Sequence, residues 1–261
     1  MIKDITVIGA GRLGFHLGKA LYSQGRNIRQ VFSRGKQKAE RLASATDSQA
    51  ISELTSVDGA SDLYIIAVSD DAIPAVAEAL SRRISNDKIV VHTSGASPST
   101  VLTKYFLRGG VFYPLQTFSE NKVPDFKKIP IGVYSTEPAV EQQLFHLAAE
   151  LTNQPWRMDD QQRATLHLAA VFVNNFSNYL FTVGHELATQ HGLPFDLLIP
   201  LIEETVEKIK SYPPIDMQTG PARRNDQATL QRHLTQLEGQ AGYQRVYQLL
   251  SAQIAELYQK K

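Results

Sequence analysis

One junction near the start of the chain constrains its fold more than any other feature. The apolar run Ile5-Thr6-Val7-Ile8 leads without a break into Gly9-Ala10-Gly11-Arg12-Leu13-Gly14, and a helical pattern follows at once. In the order strand, glycine loop, helix, each glycine has a physical task. Gly9 permits the tight turn, Gly11 clears a side chain so that backbone can approach a pyrophosphate, and Gly14 lets the helix pack close to the strand. The helix N-terminus adds unpaired N–H groups and the positive end of a dipole. The junction therefore predicts a dinucleotide cradle, against the plainer reading of an ordinary strand-turn-helix with incidental glycines.

The end of the next strand, Ile28 to Phe32, refines the ligand. NAD-binding chains usually carry a carboxylate there for the ribose 2′-OH. This chain has Ser33-Arg34 instead, with Lys36 and Lys38 close behind. A hydroxyl and a guanidinium suit a 2′-phosphate, so NADP(H) is the expected cofactor, with a solvated basic turn as the alternative.

Further along, β-branched runs alternate with helical patterns: helices at 13–23, 36–43, 73–84 and 140–151, and strands at 63–68, 89–92, 111–113 and 131–134. That rhythm belongs to a parallel sheet with crossover helices, and a wholly apolar strand such as Leu63 to Val68 to a sheet covered on both faces. After Trp156 the strand signals stop. A long helix is expected over 161–191, a second over 195–211 that Pro200 bends or begins, and two more over 226–238 and 243–258. The predicted architecture is α/β, a doubly wound, Rossmann-like parallel sheet over 1–158, followed by an all-helical substrate or dimerisation domain over 159–261.

Composition excludes several classes. With 27 basic and 26 acidic residues the net charge is +1, too little for the broad field that gathers nucleic acid or anionic lipid. There are no cysteines, so disulfides, thiol nucleophiles and cysteine metal sites are out, and the 7 histidines show no close-spaced ligand pattern. No apolar run approaches a membrane span and the N-terminus enters a strand directly, which reads as a cytoplasmic protein with no metal, nucleic-acid or membrane partner.

Ligands of doubly wound sheets sit at the carboxyl ends of the strands. The candidates there are Val68-Ser69-Asp70, in which Ser69 and Asp70 either touch the cofactor or cap a helix; His92 and Ser94-Gly95; and Tyr113 and Gln116. Hydride transfer to a carbonyl or imine needs a proton donor, which His, Ser or Tyr supplies; His92 is otherwise a satisfied strand-end histidine. On the long helix His167, Asn174, Asn178 and His185 recur at spacings that put them on one stripe of an otherwise apolar surface. Such a stripe lines a wet cleft, pairs with a partner helix or faces solvent. Arg223, in Gly220-Pro221-Ala222-Arg223-Arg224, is a candidate for an anionic substrate group or belongs to a solvated loop.

Taken together, Gly9-Ala10-Gly11-Arg12-Leu13-Gly14, His92-Thr93-Ser94-Gly95, Tyr113-Pro114-Leu115-Gln116-Thr117-Phe118, His167 with Asn174, and Gly220-Pro221-Ala222-Arg223 resemble a group of uncharacterised bacterial NADP oxidoreductases, in which a Rossmann-like domain precedes a helical domain of unknown function. More distantly the layout is similar to the 6-phosphogluconate dehydrogenase-like superfamily. The resemblance implies a homodimer through the helical domain and an active site completed by it. The β-hydroxyacid dehydrogenases carry a lysine on the long helix with an asparagine one turn later; this chain has no lysine there, and His167 and Asn174 occupy roughly that stretch at a different spacing.

The expected activity is NADP(H)-dependent hydride transfer to or from a small polar carbonyl, imine or alcohol. His167 would be the acid/base, Asn174 and Ser94 would orient the substrate, and Arg223 would bind an anionic group. The alternative is a non-catalytic NADP(H)-binding or sensing protein.

Overall fold

The structure is a computed structural model that describes residues 2–259. The chain divides into two compact units, Met1–Val171 and Phe172–Lys261.

The first unit begins with β1 (Asp4–Ile8), α1 (Arg12–Ser23), β2 (Asn27–Phe32), α2 (Lys36–Ala45) and β3 (Gln49–Ile51). It continues with β4 (Leu63–Ile66), α3 (Ile73–Ser81), β5 (Ile89–His92), α4 (Thr100–Thr103) and β6 (Arg108–Pro114), then β7 (Ile131–Ser135), α5 (Pro138–Leu151), β8 (Pro155–Arg157) and α6 (Asp160–Ala170). The eight strands form one sheet in the order β3-β2-β1-β4-β5-β6-β7-β8. The chain reverses direction across the sheet between β1 and β4, the crevice where doubly wound folds bind ligands. All pairings are parallel except β6 with β7, which are antiparallel. The expected doubly wound sheet is thus present with one antiparallel joint, and the short edge strands β3 and β8 lie beyond the sequence signal.

Apolar side chains cover both faces of this sheet. On one face Leu17, Leu21, Leu42, Leu144 and Leu147 pack against Ile5, Val7 and Ile65; on the other Ile73, Ala77, Leu80 and Leu102 pack against Ile8, Tyr64 and Ile66. Burial on both faces explains why β4 and β5 read as unbroken apolar runs. Each such Leu or Ile contributes about 1.5–3 kcal/mol of burial, so strand ends are held by a stiff base.

Helix α6 starts at a capping box. The Asp159 carboxylate accepts the Gln162 N–H at 2.7 Å, and the Gln162 side-chain carbonyl accepts the Asp159 N–H at 3.0 Å. The helix was expected from 161 as part of the second domain, with the boundary after 158; here α6 belongs to the first unit. The helical run continues through a π-wound turn at Val171–Phe176. The step from His167 to Asn174 crosses that wider turn, so the stripe counted at α-helical spacing does not hold there.

The second unit continues with α7 (Ser177–Gln190), α8 (Ile199–Ser211), α9 (Pro214–Met217), α10 (Gln227–Gln236) and α11 (Ala241–Gln259). Pro200 stands in the first turn of α8, where its missing N–H costs nothing. Asp226 caps α10 by accepting the Thr229 N–H at 3.1 Å. Bonds such as His233 Nδ1 with the Tyr247 hydroxyl at 2.7 Å tie α10 to α11. Only Ala222 and Leu237 are buried among the described apolar residues of this unit. No helix among the described residues is long and apolar enough to cross a membrane, and no group of His, Asp or Glu there is arranged to hold a metal.

Candidate active site

The glycine loop has the geometry its spacing predicts. Gly9 has φ +112°, and a Cβ there would lie 2.2 Å from the Ala67 carbonyl oxygen. A Cβ on Gly14 would lie 1.9 Å from the Gly9 carbonyl oxygen. Both contacts are with backbone, so neither position accepts a side chain. Gly11 is different: a Cβ there would meet nothing within 4 Å, so this glycine faces open space. Helix α1 starts with no side-chain cap and no acidic residue in its first turn, leaving its N–H groups and dipole for an external anion. A cavity of about 180 Å³ opens beside it, lined by Ala10, Gly11, Arg12, Phe15, His16, Lys38, Arg41 and Glu120.

These features fit a dinucleotide phosphate. The sequence did not single out Arg41 or Glu120 in the lining. The Arg41 guanidinium lies over the Phe15 ring at 4.4 Å, which brings a charge from α2 onto α1. Ser33 is buried at the end of β2, whereas Arg34 is exposed and outside the lining of this cavity. Leu13 packs against the core. Val68 lies against Gly9, its Cγ1 3.0 Å from where a Cβ would stand. Ser69 and Asp70 are exposed past β4, and the Ser69 side chain caps nothing in the short turn that follows.

A second group of candidates meets at the ends of β5 and β6. The Tyr113 hydroxyl is 3.2 Å from His167 Nδ1, the two rings meeting edge to face at 6.2 Å. Gly95 lies directly against both: a Cβ there would stand 2.5 Å from His167 Nδ1 and 2.8 Å from Tyr113 Cζ. Tyr113 is 7% exposed, and burial raises its pKa above the usual 10, against the pull of the Arg163 charge. The phenol therefore stays protonated at neutral pH.

Ser94 accepts N–H bonds on its hydroxyl oxygen from Ala96 at 3.1 Å and Ser97 at 2.9 Å. Those bonds shape the turn after β5 and leave the hydroxyl proton free to donate. His92 is fully buried, and its Nδ1 accepts the Ser94 N–H at 3.2 Å. Burial, helped by the Arg163 charge, lowers its pKa to about 4, with the Pro98 carbonyl, Asp160 and Asp70 pulling the other way. It is a neutral side chain whose Nδ1 holds the Ser94 turn, while its buried Nε2 has no hydrogen-bond partner among the described residues.

The remaining candidates make contacts of their own. Gln116 is exposed, accepts the Thr117 N–H at 2.9 Å, and lines a different cavity of about 640 Å³ with Arg12, Lys122 and Lys128. Asn174 is exposed in the π-wound turn, and Arg223 spends its guanidinium on the Gln218 carbonyl and the face of Tyr258. A residue without a sequence signal is Arg163: it is 1% exposed and donates to Asp160 and to the Ser97 carbonyl.

Comparison with known proteins matches two stretches of the chain separately. Residues 4–95 match the family described as NADP oxidoreductase, coenzyme F420-dependent, and residues 129–254 match a domain of unknown function, DUF2520. No curated protein matches the chain. Among solved structures, a "putative NADP oxidoreductase" from Bacteroides fragilis is 37% identical, with 98% of each chain covered and a TM-score of 0.91. A protein from Thermotoga maritima is 22% identical over 98% of each chain, TM-score 0.74. An imine reductase from Myxococcus stipitatus in complex with NADP+ is 16% identical, covering 98% of this chain and 94% of its own, TM-score 0.70. At that distance the last two share the fold alone. The identity to the Bacteroides protein, held over nearly the full length of both chains, has a plain consequence: the chain belongs to the NADP oxidoreductase family that joins a Rossmann-like domain to DUF2520.

Proposed function

We propose that this oxidoreductase reduces a small polar imine or carbonyl, or runs the reverse reaction on the amine or alcohol, with His167 as the proton donor and acceptor. The observation that carries the reading is the His167–Tyr113 pair seated on Gly95 at the carboxyl ends of β5 and β6. When bound, NADPH supplies the hydride. Its phosphates suit the open side of Gly11, the free N–H groups of α1 and the cations Arg12 and Lys38, with Ser33 and Arg34 on the 2′-phosphate.

The chain's own part is to hold and move one proton. Tyr113, kept protonated by burial, donates to His167 Nδ1 and so fixes the tautomer whose proton is on Nε2. As hydride reaches the carbon, that N–H gives its proton to the nitrogen or oxygen of the substrate while Nδ1 takes the phenolic proton of Tyr113, so the ring stays neutral and the tyrosine is reprotonated from solvent. The Ser94 hydroxyl proton orients the same substrate atom.

The dimer also belongs to this reading. The second unit leaves Phe172 60%, Val173 75% and Leu201 65% exposed, large apolar side chains suited to an association surface. A second copy of the chain covers these faces.

The test is stopped-flow oxidation of NADPH by the full-length protein against a panel of small imines and carbonyls. His167→Gln should slow turnover ~10²–10⁴-fold while NADPH binding stays within twofold. Unchanged turnover in that variant, or NADPH binding without oxidation across the panel, would overturn the proposal; the second result would favour a sensing protein.

A further inference from the structure

We infer that Arg163, working with Asp160, is the positioning residue of the site: it clamps the first turn of α6 to the loop after β5 so that His167 is set against Tyr113 over Gly95. The inference rests on the proposed reading of His167 and Tyr113 as the reacting pair, and it concerns residues of the first unit only.

The geometry leads there in three steps. Arg163 is among the largest fully buried side chains of the molecule. A buried guanidinium carries a desolvation cost that surface arginines escape, so its place in the fold needs a reason. Its Nη1 donates to Asp160 Oδ1 at 2.8 Å and its Nη2 donates to the Ser97 carbonyl. The other carboxylate oxygen of Asp160 accepts both the N–H and the hydroxyl of Ser99, each at 2.8 Å. Three bonds therefore tie α6 to residues 97–99.

What this tie controls is local. His167 follows Arg163 by four residues and so lies one turn along the same helical face. Ser97 follows Gly95 by two residues, and Gly95 is the floor beneath His167 Nδ1. The clamp fixes the helix carrying the imidazole against the loop it rests on, at the ångström scale where a reacting pair is sensitive to position. Arg163 touches neither partner of the pair by a hydrogen bond; it acts through the backbone it holds.

The same guanidinium is the cation whose charge acts on His92 and Tyr113. Asp160 and Asp70 oppose it at His92, and Asp70 opposes it at Tyr113. The Nε–H of Arg163 has no hydrogen-bond partner among the described residues, so the clamp rests on Nη1 and Nη2.

The experiment is nitrogen-detected NMR of the histidine rings in the full-length protein, read for His167 in wild type, Tyr113→Phe, Arg163→Met and Arg163→Lys. Tyr113→Phe defines the signature of a lost Nδ1 hydrogen bond. Arg163→Met should reproduce that signature in His167, and Arg163→Lys should restore part of it by keeping a cationic donor. NADPH affinity by calorimetry should stay within twofold of wild type in all three variants, because the clamp is not part of the glycine loop.

If Arg163→Met fails to fold, Asp160→Asn, nearly the same shape with weaker acceptors, should move His167 in the same direction. A folded Arg163→Met or Asp160→Asn protein with the wild-type His167 signature would overturn the inference. The readout needs no substrate, so loss of the clamp is distinguishable from failure of the proposed reaction, which His167→Gln turnover decides.

Discussion

In the first unit β1, β4 and β5 are buried along their apolar residues and covered on both faces, whereas in the second unit large side chains such as Phe172, Val173 and Leu201 stay mostly exposed. One part of the chain thus completes its own core and the other leaves apolar faces over. The difference separates two requirements of an oxidoreductase. A cofactor cradle works best preformed on a rigid sheet, because every bond that NADPH finds already oriented saves the cost of ordering it. A helical unit with open apolar faces takes its final stability from association.

The sharpest way to break the contrast is within the glycine loop. Gly14→Val would push a side chain into the Gly9 carbonyl, its Cβ against backbone oxygen at 1.9 Å before any relaxation. Expected is loss of measurable NADPH binding in calorimetry together with destabilisation of about 3 kcal/mol or more in urea unfolding. Gly11→Ala is the control, since its Cβ meets nothing within 4 Å. It should keep wild-type unfolding and lose cofactor affinity alone. Equal behaviour of the two variants would mean that the loop is not the preformed element described here.

The second unit answers to a different perturbation. Phe172→Glu with Leu201→Glu puts two charges on faces that are open in the single chain, so a monomer should tolerate them with little change. If a second copy covers those faces, sedimentation equilibrium should show dimer dissociation strengthened ~1,000-fold, about 4 kcal/mol. Melting temperature, protein-concentration-dependent in the wild type, should become independent of concentration. A wild-type chain that sediments as a monomer at micromolar concentration would sink the dimer.

How much of this was legible beforehand follows the same division. Local rules carried the first unit far: unbroken apolar strands, the glycine spacing, and Pro200 and Asp226 marking helix starts all act through nearest neighbours in sequence. The Asp159–Gln162 capping box was equally local and went unread, which is why α6 was begun one residue late and assigned to the other domain. His167 and Tyr113 are both candidates in the sequence, but their pairing is not legible there, because the 3.2 Å bond joins residues 54 apart. Arg163 carried no signal at all. Its burial depends on Asp160 and on the Ser97 carbonyl, and a guanidinium on a helix otherwise reads as surface. The π-wound turn at Val171–Phe176 was invisible for a related reason: helical periodicity assumes the regular turn that it replaces.

His92 gives a pH test confined to the first unit. Its pKa is about 4 in the folded protein against an ordinary 6.5, chiefly because burial disfavours the charged ring. Between those values the unfolded chain binds more protons than the native one, so stability falls as pH drops from about 6.5 towards 4 and levels off below. The full effect is at most about 3 kcal/mol. His92→Gln, which cannot titrate, should flatten that part of the urea-unfolding profile while the transition above pH 7 keeps its slope. A profile as steep in the variant as in the wild type would assign the loss of stability to other groups.

The smallest expected effect concerns which cation faces the cofactor's extra phosphate. Ser33-Arg34 is the position that strand-end logic favours, yet the cavity beside Gly11 is lined by Arg12, Lys38 and Arg41 and not by Arg34. Arg34 is exposed and its charge works through water, so a contact there is screened by salt. Arg41 is better held, because stacking on Phe15 at 4.4 Å limits the freedom that a bound phosphate would otherwise have to remove. Paired titrations of NADPH and NADH can rank the two. Arg34→Ala should weaken NADPH about tenfold, about 1.4 kcal/mol, and leave NADH nearly unchanged, if the 2′-phosphate lies at the end of β2. Arg41→Ala should weaken both dinucleotides by a similar factor if its charge serves the pyrophosphate beside Gly11. The reverse pattern, with NADPH selectivity lost only in Arg41→Ala, would move the 2′-phosphate from the Ser33 turn into the cavity. Glu120→Gln should then tighten NADPH more than NADH, because the carboxylate shares that cavity with the three cations.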